Sequence, residues 1–235
     1  MRPLEELLSD ESAWLLIQTW LGEAPRDVLV LPAERAEGEA VLLRLQVTSH
    51  SALGAVALET GGILVDRGWL RLLGSGSPRM RSTLASWNTI GDRPEIRPLE
   101  HALVVGHDCM GGFFALNGGQ FDGEQGHVFY FAPDTLRWES LERGYADFLH
   151  WTLTGDLDGF YAELRWPGWE EELAGASGDV GFALYPPLFT KEGQPPSSAR
   201  RTLVPMSELW NVQQDYARRL ADLPEGAEIR FEVDG

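Results

Sequence analysis

Residues 102–141 read ALVVGHDCMGGFFALNGGQFDGEQGHVFYFAPDTLRWESL, and this stretch decides the fold class. Three apolar runs, Ala102 to Val105, FFALN and HVFYFA, are each bounded by glycine-rich or Pro-Asp turns, and TLRWESL follows them. Aromatic and β-branched residues suit a pleated surface, and glycine takes the backbone conformations that tight connections need. The pattern predicts a meander of antiparallel strands, with at least two of Phe114, Phe129 and Phe131 expected to be largely buried.

Toward the C-terminus, YADFLHWTL and DLDGFYAEL read as helices, the second capped by Asp156, and a third segment runs through WEEELA after Pro167. GFALY resumes strand character, QPPSSAR is a surface loop, SELWNVQQDYARRL is a helix with Ser207 as its cap, and AEIRFEV is a closing strand. Toward the N-terminus, Leu4, Leu7 and Leu8 form one helical stripe, and Trp14, Leu15, Ile17 and Trp20 form a second, stopped by Gly22 and Pro25. Val28 to Leu31 reads as a short strand. Ala40 to Val47, alternating at Leu43, Leu45 and Val47, reads as another. Ser49 offers a cap for the small-residue helix that follows, and ILVD and WLRLL make a hairpin around Arg67-Gly68. Residues 74–98 are irregular.

Strands and helices occur in blocks rather than in βα alternation. The expected fold is therefore α+β, a mostly antiparallel sheet of five or six strands with helices packed mainly on one face. The expected organisation is a single globular domain over 1–235, with a division into an N-terminal helix/strand part at 1–90 and a core at 99–235 as its alternative.

At 235 residues, 43% hydrophobic and 10% aromatic, the chain can bury a sizeable core. Its one cysteine, Cys109, excludes an internal disulfide. MRPLEELLSDE lacks an apolar h-region before acidic residues appear, so the cytoplasm is the expected location. A net charge of −17 disfavours nucleic acid and anionic membranes as partners, because phosphate binding needs clustered cations. The charge is uneven: Glu139 to Asp179 holds ten acids against Arg143 and Arg165 alone. Such a run is either a well-solvated face or a docking surface for a basic partner.

No motif names a reaction. His107, Asp108 and Cys109 are adjacent, but strand neighbours point to opposite faces, and nothing local would lower the thiol pKa. Cys109 reads as a small buried hydrophobe and Asp108 as a turn-former before Met110-Gly111-Gly112. The five histidines show no HxH or HExxH spacing and there is no CxxC, so no metal and no cofactor is expected. GSGSP lacks the second glycine of a nucleophile elbow, and LGSGS lacks a Walker lysine. Trp138, Trp151, Trp166 and Trp169 cluster near the acidic run and read as helix–sheet core or as a sugar or peptide groove.

The run from GGFFALNGG (111–119) to YFAPDTLRWE (130–139), with GFALYPPLF after it, resembles an uncharacterised bacterial domain-of-unknown-function family over most of the chain. Over residues 101–155 the order of features is similar to the SUKH (Smi/Knr-like) superfamily: Gly111-Gly112, Phe113-Phe114, Val128 to Phe131, Asp134, Trp138 and Phe148-Leu149. Many members of that superfamily are immunity proteins that neutralise toxins, often nucleases, so the resemblance implies a basic toxin or nuclease as partner. The expectation is a non-enzymatic protein-binding module, immunity-like or regulatory. Its candidate docking surface is Glu142, Asp147, Trp151, Trp169, Glu170 and Glu171. The alternative is an enzyme or carbohydrate-binding protein with a cleft near the 106–126 loops, built on His107, Asp108, Asp122 and His127. The oligomeric state is open, a homodimer included.

Overall fold

The computed structural model describes residues 1–88, 96 and 98–221. The chain runs α1 (Leu4–Leu7), α2 (Trp14–Glu23), β1 (Val28–Leu31), α3 (Arg35–Leu45), α4 (Ala52–Glu59), β2 (Gly62–Val65), β3 (Leu70–Leu73) and α5 (Leu84–Trp87). It continues through β4 (Ala102–Asp108), β5 (Phe113–Asn117), β6 (His127–Ala132), β7 (Arg137–Gly144), α6 (Tyr145–Thr154), α7 (Leu157–Phe160) and α8 (Trp169–Leu173). The last described elements are β8 (Val180–Tyr185), β9 (Arg200–Pro205) and α9 (Met206–Leu220). The segment AEIRFEV lies outside the described residues.

The fold is α+β, but the main sheet has seven strands rather than five or six. All are antiparallel and stand in chain order, β1 to β7, while β8 and β9 form a separate antiparallel pair. The larger count arises because both halves of the chain feed one sheet. β3 pairs with β4 in the register Leu70↔Asp108, Arg71↔His107, Leu72↔Gly106. Alternation along the strands then sends neighbours to opposite faces. Phe114 packs on Phe148 of α6 at 5.0 Å between ring centroids, whereas Phe113 meets Trp210 of α9 at 4.6 Å and Trp87 of α5 at 5.4 Å. Helices thus touch both faces, with α6 on one and α5 and α9 on the other. Phe114, Phe129 and Phe131 are all buried, as their positions between turns required.

One expected strand is a helix. Residues 40–47 fall in α3 and its C-terminal turn, with Val41 and Leu42 buried and Gln46 ending the helix in the left-handed conformation at φ 56°. The reason is tertiary: α3 crosses α4 so closely that a Cβ on Gly38 would stand 2.6 Å from the Leu58 carbonyl oxygen. Helical burial of Gly38, Val41 and Leu42 wins over the alternation at Leu43 and Leu45. Two caps also differ. Ser51, not Ser49, accepts the Gly54 N–H at the start of α4, and α9 starts at Met206 after Pro205 with no side-chain cap from Ser207. Asp156 caps α7 as expected, accepting the Gly159 N–H at 2.8 Å.

Arg26 joins the N-terminal part to α6. Its Nη2 donates to the Gly155 carbonyl at 2.6 Å and its Nη1 to Thr152 at 3.3 Å. A cation there satisfies carbonyls that the helix end leaves unpaired. No helix among the described residues is long and apolar enough to cross a membrane.

Candidate functional site

The turn after β4 is organised by a buried carboxylate. Asp108 Oδ1 accepts the N–H groups of Met110 and Gly112, each at 2.8 Å, and Oδ2 accepts the Tyr130 hydroxyl at 2.8 Å. Burial pushes the Asp108 pKa up, against the pull of these three donors and of Arg71. Asp108 is the turn-former its position before Gly111-Gly112 suggested. Cys109 is wholly buried, and burial drives its thiol pKa upward, away from the thiolate a nucleophile needs.

His107 points to the opposite face, between Trp87 at 5.7 Å and Phe113 at 5.9 Å. Its two ring nitrogens have no hydrogen-bond partner among the described residues, and burial, with Arg71 nearby, lowers its pKa to about 3. Arg71 was not anticipated from the sequence. It is wholly buried on β3, its Nε donating to Gly68 O at 2.7 Å and its Nη1 to Val180 O, so it ties the main sheet to β8. No sequence signal marks it, since the register that buries it comes from β4.

The other two candidates of the alternative cleft lie elsewhere. His127 opens β6 at the end where Leu116 pairs with Val128, whereas His107 lies beside Phe113, which pairs with Phe131. Four residues of strand, roughly 13 Å, separate the two levels. His127 reaches Glu124, at 3.5 Å, and Asp122 is exposed on the 118–126 loop. That loop is held by Asn117, which sequence reasoning also missed: its Oδ1 accepts from Gly119 and Phe121, and its Nδ2 donates to Phe121 O. An Asn before Gly-Gly is the available signal, since its side chain closes local turns. The structure therefore does not bring His107, Asp108, Asp122 and His127 together.

The acidic run spreads over four elements. Glu142, at φ 53°, is exposed on β7, one of the two edge strands of the sheet. Asp147 is exposed in the first turn of α6, and the half-buried Trp151 follows one turn on along the same helix face. Trp151 stands edge-on to Phe160 at 5.0 Å, with the Arg143 guanidinium 5.5 Å from its ring. Glu170 and Glu171 occupy the first turn of α8.

Trp169 is not a surface anchor. It is buried against Trp69 at 4.9 Å, with the Arg165 guanidinium 4.8 Å from its ring. Arg165 in turn pairs with Asp66 and Asp158. Three aromatic rings, Phe160, Tyr161 and Trp69, connect Trp151 to Trp169, so the two tryptophans lie at the ends of a row rather than in one patch.

Some of the acids serve the fold. Glu172 accepts from Arg201 at 3.0 Å and from Trp166 Nε1 at 2.8 Å, and the Arg201 bond holds its carboxyl below the usual range. Asp179 accepts the backbone N–H groups of Arg81 and Ser82; burial raises its pKa, but these hydrogen bonds outweigh it and leave it lowered. Glu139, Glu142, Asp147, Glu163, Glu170 and Glu171 have no ion pair among the described residues.

A groove of about 240 Å³ lies between β8, the following loop and α9, lined by Leu184, Tyr185, Leu188, Leu209 and Val212 with Glu208. No group of three or more His, Cys, Asp or Glu suited to a metal ion occurs among the described residues.

Residues 4–209 match the family described as protein of unknown function DUF2625, and the chain belongs to that family. It is 42% identical over 214 residues to the uncharacterized protein YbfG of Escherichia coli strain K12, covering 91% of this chain and 96% of that protein. It is 37% identical over 189 residues to an uncharacterized protein of Haemophilus influenzae strain Rd, covering 80% of this chain and 83% of that protein. No solved structure matches the chain.

Proposed function

We propose that the protein is a binding module that docks a basic protein partner on the acidic surface around β7 and α6. The observation that carries this reading is the placement of Asp147 and the half-buried Trp151 on one face of α6, with Glu142 exposed on the strand that leads into that helix. Charge on an outer strand has a simpler use, since it discourages edge-to-edge aggregation, and Glu139 and Glu142 serve that purpose without any partner. A partly exposed tryptophan one helical turn from an exposed acid that has no ion pair among the described residues is not explained that way. It fits an aromatic anchor inside a charged rim.

The groups whose pKa values are shifted chiefly by burial, Arg71, His107, Asp108, Cys109, Tyr130, Tyr145 and Tyr161, are all buried. This weighs against an enzyme or sugar-binding cleft near residues 106–126, which needs convergent polar groups open to a ligand. An immunity-type role, with the acidic face covering the cationic site of a nuclease toxin, is the specific form that the SUKH resemblance gives to this reading.

The test is charge reversal. A basic protein captured by the wild type is assayed by surface plasmon resonance against the Glu139→Lys, Glu142→Lys, Asp147→Lys triple variant. Rim charges act mainly on association and are screened by salt. Association is expected to slow about tenfold or more at low salt, with the difference shrinking as salt rises. Equal association rates, or the capture of no basic protein, overturn the proposal.

A further inference from the structure

The turn between β2 and β3, the turn carrying Arg79, the outer strand β1 with the residue before it, and α8 with the two residues after it surround an open depression of about 230 Å³, in which Asp27, Leu29, Arg67 and Arg79 are exposed and Glu170 is half-buried. Its lining includes Asp27, Arg67, Arg79 and Glu170, together with Leu29 and Leu64. Two guanidinium groups and two carboxylates thus share one hollow. None of these four side chains makes an ion pair or a hydrogen bond among the described residues. Opposite charges on flexible side chains around a small space ordinarily close on one another. Here each side chain is rooted in a different segment, no two of opposite charge pair among the described residues, and Leu29 and Leu64 share the lining. Arg67 stands in a turn in which Asp66 and Arg67 both hold left-handed conformations, at φ 52° and 55°.

We propose that this hollow binds a small zwitterion with an apolar body, of the α-amino acid class. Arg67 and Arg79 take the carboxylate, Asp27 and Glu170 take the ammonium group, and Leu29 and Leu64 line the apolar part. Charge and size narrow the class to this. A plain anion approaches against the field of a chain with net charge −17, and a plain cation meets two arginines. A zwitterion carries no net charge and satisfies both pairs. The volume is below the roughly 300–1,000 Å³ of pockets that take drug-sized ligands.

Isothermal titration calorimetry of the full chain against each of the standard L-amino acids tests this. L-leucine is accompanied by its carboxylate-only and amine-only analogues, 4-methylpentanoate and 3-methylbutylamine. At least one apolar amino acid is expected to bind and to raise Tm. Binding is expected to weaken tenfold or more in Arg67→Ala/Arg79→Ala and in Asp27→Asn/Glu170→Gln, and neither analogue should match the parent. Arg79→Ala alone, at an exposed site in a separate turn, gives the same reading if a double variant folds poorly. The idea is overturned if no amino acid binds at millimolar concentration, or if the bound one is indifferent to these substitutions. Asp147 and Trp151 do not line this hollow, so the docking surface stands or falls separately.

Discussion

Gly112 has no room for a side chain because Asp108 and its partner occupy the place where one would go. A Cβ there would stand 2.2 Å from Asp108 Oδ2 and 2.3 Å from the Tyr130 hydroxyl. Relieving that overlap must break the hydrogen bond between Asp108 and Tyr130 or move β5. Gly112→Ala is therefore expected to cost about 1–3 kcal/mol, the usual range for overpacking a closed site. Gly22, in α2, meets nothing within 4 Å. Gly22→Ala is expected to stabilise by about 0.5–1 kcal/mol through helix propensity. Urea denaturation of both variants checks the pair, and losses of equal size in the two would show that the cradle around Asp108 is not rigid.

His107 makes stability depend on pH in a defined direction. Its folded pKa is about 3 and its ordinary value 6.5, so the neutral form is the one the fold tolerates. Above pH 6.5 both states are neutral and this contribution is intact. As pH falls below 6.5 the unfolded chain takes up a proton that the folded chain refuses, and stability drops by about 1.4 kcal/mol per pH unit until the folded pKa is reached. Wild type is expected to lose about 2 kcal/mol between pH 7 and pH 5 from this source. His107→Phe, which keeps an aromatic ring beside Trp87 and Phe113, should lose correspondingly less. Denaturation curves at the two pH values that shift alike in both proteins would remove His107 from the account.

Cys109 is buried, with its thiol pKa raised by burial, and it lies against the β8 strand through a backbone bond from Phe182. A thiol reagent is expected to label it slowly in the native protein and rapidly in denaturant. Fast native labelling at neutral pH would mean that the segment after β4 opens readily and that the thiol is available for chemistry.

The meander from β4 to β7 was legible because each strand carries its own turn signals, so the reading needed only local information. The strands of the N-terminal half were legible singly, but not their membership of the same sheet, since the β3–β4 pairing joins residues on either side of the long connection from Leu73 to Ala102. α3 was misread because residues 40–47 satisfy both the strand and the helix period over so short a run, and the decision came from α4. The Asp108 turn and the burial of Cys109 were readable from the glycines that follow. Arg71 was not, because its burial depends on the register with β4 and on the carbonyl of Val180, more than a hundred residues away.

Trp169 shows the same limit, and its burial separates two roles that the sequence ran together. In sequence it sits beside Glu170 and Glu171 and looks like the centre of an acidic patch. In the fold it packs on Trp69 under Arg165, and Arg165 is held by Asp66 from the β2–β3 turn. Trp151 has the converse position, half-buried on α6 with Asp147 on the same face. The two tryptophans should therefore respond in opposite ways. Trp169→Ala removes a core ring and is expected to cost about 3–5 kcal/mol of stability. Trp151→Ala gives up only a partly exposed ring and its edge contact with Phe160, so about 1 kcal/mol is expected, in the ordinary range for single substitutions. For binding the order reverses. Trp151→Ala should raise the dissociation rate of a captured basic partner, because a truncated anchor loses contacts made only in the complex. Trp169→Ala, in the fraction that remains folded, should leave that rate unchanged. Chemical denaturation and surface plasmon resonance on the two variants give four numbers. A Trp151→Ala variant that dissociates like wild type leaves the acidic surface without an anchor, and the exposed carboxylates of β7 and α6 are then sufficiently explained as protection of the sheet edge.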